Sequence, residues 1–262
     1  MCRLAAYLGE PMYLETLIAT PHHSLMRQSL RAVEAKASTN GDGFGVGWYG
    51  ERDEPGVYRE VMPAWSDDNL LALSHSLRSR LFFAHVRAAT SGGIARQNCH
   101  PFRHGAHLFM HNGQIGGYVQ LRRVLESWLP DDLYAARSGG TDSELLFLLA
   151  MARVARGEAM VPAVLSVLDD TMTLMRAHGI EQPLRFAAVL ADGRQLHAFR
   201  MASDDRPPTL YLRRCPSGAI VASEPLCEDE PGWQLLPVGA VVTLGAGRCD
   251  VAVHEVTSGV AA

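Results

Sequence analysis

Cys2 is the residue whose type and position most directly suggest catalysis. Because the residue at position two is small, we expect Met1 to be removed, which leaves one residue with both a thiol and a free α-amine. An α-amine has a pKa of about 7.7 to 8.0 and a free thiol one of about 8.5, so proton transfer between them is nearly thermoneutral. Cys2 could therefore activate its own sulfur as a nucleophile without a histidine or aspartate partner.

A second chemical group is His111-Asn112-Gly113, which follows a short apolar stretch. Acyl transfer needs hydrogen-bond donors at the point where the oxyanion forms, and a side-chain amide beside a glycine N–H supplies two. Asn-Gly is also a common turn dipeptide. Taken alone, these residues favour a turn at the end of a strand over an oxyanion hole.

Two further groups of residues could bind the carboxylate and the ammonium of an amino acid. Arg87 and Thr90 follow an apolar strand pattern, and a guanidinium offers the planar pair of donors that suits a carboxylate. Asp142, in the run Gly140-Thr141-Asp142-Ser143-Glu144, could accept a substrate ammonium. The structural alternatives are a surface ion pair and a helix cap. Beside a centre that cleaves γ-amides, however, these two binders would describe the head group of an α-amino acid.

Hydropathy periods predict the elements that carry these residues. Alternation predicts strands over 3–8, 41–48, 57–62, 81–86 and 107–110, and a hairpin at Asp192-Gly193. Spacings of three and four predict helices over 13–19, 25–33, 67–76, 118–128, 141–153 and 160–177, with Thr141 as an N-cap. Strands, then helices, then strands again predict an α+β fold in which two sheets are covered by helices.

Composition excludes several classes of partner. The 24 basic and 28 acidic residues give a net charge of -4 and form no block, so we expect no nucleic acid partner. The longest apolar stretch, residues 145–152, is much shorter than the roughly 20 residues that a bilayer helix needs, so no membrane span is expected. The five cysteines are widely spaced, which predicts no disulfide framework and favours a cytoplasmic location.

A metal-dependent hydrolase is the rival enzyme class, because four histidines lie close together in the sequence. Pro101 and Gly105 prevent a helical pair, and no carboxylate stands at a ligand spacing, so we expect no metal. A binding module that has lost turnover is the non-enzymatic alternative. The four histidines are His100, His104, His107 and His111.

Taken in chain order, these residues and several short motifs resemble the class II glutamine amidotransferases, a family built on the glutaminase fold of the N-terminal-nucleophile hydrolases. Each motif is weak alone, but their joint order is specific and covers nearly the whole chain. The motifs are Met1-Cys2, Gly43-Phe44-Gly45, His85-Val86-Arg87 with Thr90, His100-Pro101-Phe102, His111-Asn112-Gly113, Thr141-Asp142-Ser143-Glu144, Ala222-Ser223-Glu224-Pro225-Leu226 and Gly232-Trp233.

The resemblance implies a four-layer αββα sandwich in which residues 1–262 form one domain. It implies that Cys2 attacks the γ-carbonyl of glutamine or of a γ-glutamyl amide to form a γ-glutamyl thioester. By the same resemblance, Asn112 and Gly113 form the oxyanion hole. The products would be glutamate and either ammonia or an amine, and no cofactor is implied.

The resemblance also assigns the substrate-binding residues. Arg87 would bind the α-carboxylate and Asp142 the α-amine, while Thr90 and His111 would have supporting roles. Large amidotransferases carry a tryptophan and a histidine around the Arg–Thr motif, where this chain has Ala88 and Ser91. The usual coupling to a synthase site is therefore in doubt.

Because the resemblance covers nearly the whole chain, we expect no additional domain that accepts ammonia. Two possibilities remain: a γ-glutamyl amidohydrolase that acts alone, or a glutaminase subunit with a separate ammonia-accepting partner. Short members of the family include the enzyme that removes the γ-glutamyl group from γ-glutamyl-hercynylcysteine sulfoxide in ergothioneine biosynthesis, and this activity is a named alternative.

Overall fold

A computed structural model describes residues 2–31, 33, 39–89, 92–227, 231–245 and 248–254. The strands are β1 (Arg3–Tyr13), β2 (Phe44–Trp48), β3 (Gly56–Glu60), β4 (Arg78–Val86), β5 (Phe102–His104), β6 (His107–Gln114), β7 (Arg185–Ala191), β8 (Gln195–Ala202), β9 (Tyr211–Cys215), β10 (Gly218–Ala222), β11 (Trp233–Leu235), β12 (Ala240–Gly245) and β13 (Arg248–Val253). The helices are α1 (Glu15–Ile18), α2 (Leu25–Leu30), α3 (Asp68–Ser76), α4 (Tyr118–Glu126), α5 (Asp131–Ala136), α6 (Asp142–Val154) and α7 (Met160–Ala177).

The strands pair into two antiparallel sheets. Among the described residues, sheet A has the strand order β11-β9-β10-β1-β4-β2-β3, and sheet B has the order β13-β12-β8-β7-β6-β5. Strands β1 and β4 lie inside sheet A, and β6 and β7 lie inside sheet B. The expected arrangement of two sheets without a parallel βαβ repeat is confirmed.

Three apolar layers hold the sheets and helices together. Side chains such as Leu4 and Met110 fill the space between the two sheets. On the outer face of sheet A the buried residues come partly from α1, α2 and α3, and on the outer face of sheet B from α4, α6 and α7. Every residue from Asp142 to Ala152 of α6 is buried. These layers form the αββα sandwich that was expected.

The pairing of β1 with β4 brings Cys2 next to Arg87. Arg3 is the register partner of Val86 in this antiparallel pair, so the residue before Arg3 and the residue after Val86 are neighbours. Leu4 and Ala6 of β1 point between the sheets. By strand alternation Cys2 lies on that same side.

Strand β6 presents the residues of the His-Asn-Gly group on opposite faces. Leu108 and Met110 point between the sheets, whereas Phe109 points into the helical layer. The same alternation directs Asn112 towards sheet A and His111 towards the helices. Asn112 and Gly113 pair with Ala187 and Phe186 of β7, so the alternative prediction of a turn at Asn-Gly is wrong.

The glycines of β2 allow the two sheets to approach closely. A β-carbon on Gly45 would lie 2.2 Å from the His100 carbonyl oxygen, and one on Gly47 would lie 2.7 Å from Cγ of Pro101. The glycines therefore mark a close approach of residues 100–101 to β2.

Several element boundaries differ from the sequence-based prediction. Strand β1 continues to Tyr13, where a helix was predicted to begin, and α2 ends at Leu30 instead of residue 33. The short elements α5 and β5 were not predicted, because six and three residues are too few to show a hydropathy period.

None of the described helices has both the length and the apolar character needed to cross a bilayer.

Candidate active site

One small cavity at the ends of β1, β4 and β6 collects most of the predicted site residues. We call it the nucleophile cavity. It is lined by Cys2, Arg87, Ala88, His100, His111, Gly113, Thr141, Asp142 and Ser143. Its volume is about 20 Å³, room for one water. Thr90 lies outside the described residues.

The Cys2 thiol lies against the backbone of the residue that follows Arg87. Its sulfur is 3.5 Å from both the N and the O of Ala88. Burial raises the pKa of the thiol, while the Ala88 hydrogen bond and the positive charges of Arg87 and Arg3 oppose that rise. A neighbouring base would therefore be needed to form the thiolate at neutral pH.

Asn112 supplies a buried donor that the resting protein does not use. The residue is only 1% exposed, and its Nδ2 has no hydrogen-bond partner among the described residues. Leaving such a donor unsatisfied costs about 1 to 3 kcal/mol, which is uncommon in a native core. Strain or unmet bonding of this kind is concentrated at functional sites.

Gly113 is required by its surroundings. A β-carbon at this position would lie 1.9 Å from the Arg185 carbonyl oxygen and 2.4 Å from Nε2 of His111. No larger residue fits without moving β6 away from β7. The main chain of Gly113 therefore comes close to both the neighbouring strand and the nucleophile cavity.

Arg87 is 3% exposed and is held at the edge of the cavity. Its backbone N–H donates to Gly43 O at 2.8 Å, and its Nη1 donates to Gly93 O at 2.9 Å. Asn98 steadies the same loop, because its Nδ2 donates to Gly93 O at 3.2 Å and its Oδ1 accepts from Gly140 N at 2.9 Å. These bonds hold the guanidinium of Arg87 at the edge of the nucleophile cavity.

Asp142 lies in the first turn of α6, where the helix dipole favours a negative charge. Its Oδ1 accepts from Ser143 N and its Oδ2 from Ile115 N, both at 2.9 Å. Thr141 caps the helix as predicted, since its Oγ1 accepts from Glu144 N at 3.2 Å. These bonds fix a buried carboxylate beside the nucleophile cavity.

His111 is a neutral ring with a defined tautomer. Burial lowers its pKa. Its Nε2 lies 3.2 Å from the Arg185 carbonyl oxygen, which can only accept, so Nε2 carries the hydrogen. Nδ1 then accepts from Ser143 Oγ at 2.8 Å. His111 thus joins the end of β6 to the first turn of α6.

His85 and His100 form a second buried histidine group. Their rings lie at 34° to each other with centroids 4.2 Å apart, and none of their four ring nitrogens has a well-formed hydrogen bond with a described residue. Burial lowers the pKa of His85 to about 3 and moves that of His100 in the same direction. Both rings are therefore neutral near pH 7.

The histidines that suggested a metal do not converge. His104 and His107 face each other across the β5–β6 pair. The His100 ring contacts the His85 ring, and His111 is hydrogen-bonded to Ser143. Within the described ranges, no group of three or more histidine, cysteine or acidic side chains could hold a metal ion.

Sequence reasoning missed three residues that shape this site. Ser143 orients His111, Asn98 joins the Arg87 loop to Gly140, and His100 lines the cavity. Ser143 and His100 lay within the motifs quoted for the resemblance, although the resemblance assigned neither of them a role. Asn98 gave no signal, because its contacts depend on two loops that are distant in sequence.

Comparison with known proteins places this geometry in a family. The family model for the class II glutamine amidotransferases matches residues 15–218. The chain is 36% identical to a class-II glutamine amidotransferase domain protein from Silicibacter pomeroyi, with a TM-score of 0.76 over 96% of this chain and 98% of that one. The glutamine phosphoribosylpyrophosphate amidotransferase of B. subtilis shares the fold at 14% identity, with a TM-score of 0.68 over 98% of this chain and 50% of that one.

Two proteins of described function are also similar. The chain is 28% identical to the "Probable glutamine amidotransferase DUG3" of Saccharomyces cerevisiae, over 93% of this chain and 82% of that protein. It is 29% identical to the gamma-glutamyl-hercynylcysteine sulfoxide hydrolase of Mycolicibacterium smegmatis, over 90% of this chain and 92% of that protein. The chain therefore belongs to the class II glutamine amidotransferases and is an amidohydrolase of that family.

Proposed function

We propose that this protein hydrolyses the γ-amide of a γ-glutamyl compound, with Cys2 as the nucleophile and residues 1–262 acting as one domain. The observation that carries the proposal is the unpartnered Nδ2 of Asn112. The next residue, Gly113, lines the nucleophile cavity together with Cys2, Arg87 and Asp142. Cleavage of a γ-glutamyl amide needs a thiol nucleophile and a free hydrogen-bond donor for the oxyanion. It also needs one group that binds the α-carboxylate and one that binds the α-ammonium. The cytoplasmic location favoured by the cysteine spacing is part of the proposal.

Substrate binding uses the two charged residues. The α-carboxylate would take up the Nη1 hydrogen bond that Arg87 now gives to Gly93 O. The α-ammonium would lie against Asp142, whose carboxylate is held by two backbone N–H groups. With both ends fixed, the γ-carbonyl extends towards Cys2, and Thr90 supports the Arg87 end.

In the acylation step, Cys2 provides both the base and the nucleophile. After removal of Met1, the Cys2 α-amine takes the thiol proton, and the sulfur attacks the γ-carbonyl carbon. The amide oxygen becomes an oxyanion, which accepts from Asn112 Nδ2 and the Gly113 N–H. As the tetrahedral species collapses, the C–N bond breaks and the amine leaves with the proton from the α-ammonium.

Deacylation reverses these roles. The α-amine takes a proton from water, which attacks the thioester carbonyl, and the same two donors stabilise the second oxyanion. The C–S bond breaks and glutamate leaves. The thiolate then takes the proton from the α-ammonium, which restores the Cys2 thiol. His111 supports both steps by holding the end of β6 against α6 through Ser143.

The leaving group separates two versions of this function. The similarity to the M. smegmatis hydrolase, which covers 92% of that protein, favours an amine larger than ammonia. The similarity to DUG3 leaves a glutaminase that supplies ammonia to a separate partner subunit as the second candidate. The γ-glutamyl derivative of hercynylcysteine sulfoxide is therefore one substrate to test, not an assignment.

A substrate screen tests the proposal. Purified protein is incubated with glutamine, γ-glutamyl amines, γ-glutamyl dipeptides and γ-glutamyl-hercynylcysteine sulfoxide, and glutamate, ammonia and the free amine are each measured. We expect glutamate release that requires Cys2 and is faster from a γ-glutamyl amine than from glutamine. Full activity of Cys2→Ala would overturn the proposal, and activity on glutamine alone would favour the ammonia-supplying version.

A further inference from the structure

Arg3 and Glu224 form a completely buried ion pair beside the nucleophile. Arg3 is 0% and Glu224 1% exposed. Glu224 belongs to the Ala222–Leu226 motif, which the proposed mechanism does not use. Burying two charges is expensive, and replacing such a pair with uncharged side chains is often neutral or stabilising. The pair is therefore weak evidence for stability and calls for another explanation.

Arg3 joins Glu224 to the main chain of the nucleophile. Its Nε lies 2.7 Å from Oε1 of Glu224, and its Nη1 donates to the Cys2 carbonyl oxygen at 3.1 Å. The planar guanidinium fixes the angle between these two contacts. The carbonyl and the α-amine of Cys2 are bonded to the same Cα, so fixing the carbonyl restricts where the amine can lie.

Glu224 is itself held in place by residues from distant parts of the chain. Its Oε2 lies 2.7 Å from Nε2 of His23 and accepts from Val33 N at 3.1 Å. The preceding residue, Ser223, donates its N–H to Leu4 O at 2.9 Å and accepts from Leu4 N through its hydroxyl at 3.1 Å. The motif thus holds both the side chain of Arg3 and the first peptide units of β1.

We propose that Arg3, oriented by Glu224, is a positioning residue that holds the Cys2 main chain so that its α-amine stays next to its own thiol. This inference rests on the proposed function, because it matters only if the amine of Cys2 is the base. It assigns the Ala222–Leu226 motif a purpose: to fix the start of β1 for catalysis. Neither Arg3 nor Glu224 is required to touch the substrate.

Three variants test the proposal with the best substrate from the screen. Arg3→Lys keeps the charge but cannot make both contacts, and Glu224→Gln keeps the shape but removes the partner charge. The double variant Arg3→Met with Glu224→Gln removes both charges of the buried pair. We expect kcat to fall by about 10- to 100-fold in each variant, with KM changed by less than about threefold, because misplacement of a reacting group lowers the rate without weakening ground-state binding.

The double variant separates positioning from folding. Its melting temperature is compared with that of Arg153→Met with Asp170→Asn, which removes an ion pair between α6 and α7 away from the site. A cooperative melt with a low kcat supports the proposal. Wild-type kcat in any of the three variants would overturn it, and so would failure of all three to fold, because the pair would then be a folding element.

The experiments distinguish failure of the proposed function from failure of the positioning inference. If Cys2→Ala is as active as the wild-type protein, the proposed function itself is wrong. If Cys2→Ala is inactive but the Arg3 and Glu224 variants keep their kcat, the proposed function stands and only the positioning inference is lost.

Discussion

The carboxylate of Asp142 accepts a hydrogen bond from the backbone N–H of Ile115 at 2.9 Å. Ile115 lies two residues beyond Gly113, so this bond joins the first turn of α6 to the end of β6. The group proposed to bind the substrate ammonium and the strand proposed to stabilise the oxyanion are therefore joined in one hydrogen-bonded unit. Because Asp142 provides the negative charge of that unit, its substitution should mainly weaken substrate binding.

Asp142→Asn should lower kcat/KM by about 100-fold or more, because a buried charge pair with the α-ammonium is lost. The loss should shrink to a few-fold with a substrate analogue that lacks the α-amine, since that analogue never made the pair. Steady-state kinetics with both compounds provide the measurement. Asp131→Asn, an exposed first-turn residue of α5, is the matched control. An equal loss on both compounds would contradict the assignment.

Asn112→Ala should lower kcat by about 100- to 1000-fold with little change in KM, as expected when one oxyanion donor is removed. Because its Nδ2 makes no hydrogen bond with a described residue, the free energy of unfolding should fall by no more than about 1 kcal/mol. Urea unfolding and steady-state kinetics measure the two quantities. Asn69→Ala, on the exposed face of α3, serves as the control. A large loss of stability with normal kcat would show a structural role instead.

Gly113→Ala should destabilise the protein by more than about 3 kcal/mol, because the new methyl group would overlap the Arg185 carbonyl oxygen. Chemical denaturation provides the measurement. A methyl group on Gly50 would meet no atom within 4 Å, so Gly50→Ala should change stability by less than about 1 kcal/mol. Comparable stabilities of the two variants would show that β6 can move away from β7 at low cost.

How far the sequence predicts this fold depends on the length of each pattern. Helix α7 begins and ends at Met160 and Ala177 as predicted, since its hydropathy period persists over 18 residues. The Asn112-Gly113 dipeptide favours a turn locally, but pairing with β7, more than 70 residues away, places it inside a strand. Local propensity therefore fails where a non-local partner decides the backbone conformation.

The same distinction applies to the site. Cys2, Arg87, Asn112 and Asp142 could be picked out because residue type alone indicates their chemistry. The contact of the Cys2 thiol with Ala88 could not be predicted, because it depends on the register between β1 and β4. The ion pair between Arg3 and Glu224 could not be predicted either, because the two residues are far apart in the sequence and no local sequence pattern relates them.

The buried histidines predict a loss of stability in acid. Burial lowers the pKa of His85 to about 3, whereas an unfolded histidine titrates near 6.5. The neutral ring therefore stabilises the fold fully above pH 6.5, and this contribution is lost as pH falls from 6.5 towards 3. His85→Phe should reduce the fall in unfolding free energy between pH 6 and pH 5 by about 1 kcal/mol. Urea unfolding at the two pH values measures this change.

The control for that experiment is His22→Phe, because His22 is exposed. This variant should lose stability between pH 6 and pH 5 to the same extent as the wild-type protein. If His85→Phe shows the wild-type slope as well, His85 is protonated in the folded state and its environment has been misjudged.

The most direct test of the account is to find where the substrate's acyl group goes. The protein is mixed with a γ-glutamyl amide, quenched in acid after a few milliseconds, and digested for mass spectrometry. We predict a γ-glutamyl thioester on a peptide that begins at Cys2, and neither adduct nor turnover in a variant with one extra residue left in front of Cys2. An adduct that forms at the same rate on the extended chain, or on another residue, would contradict the account.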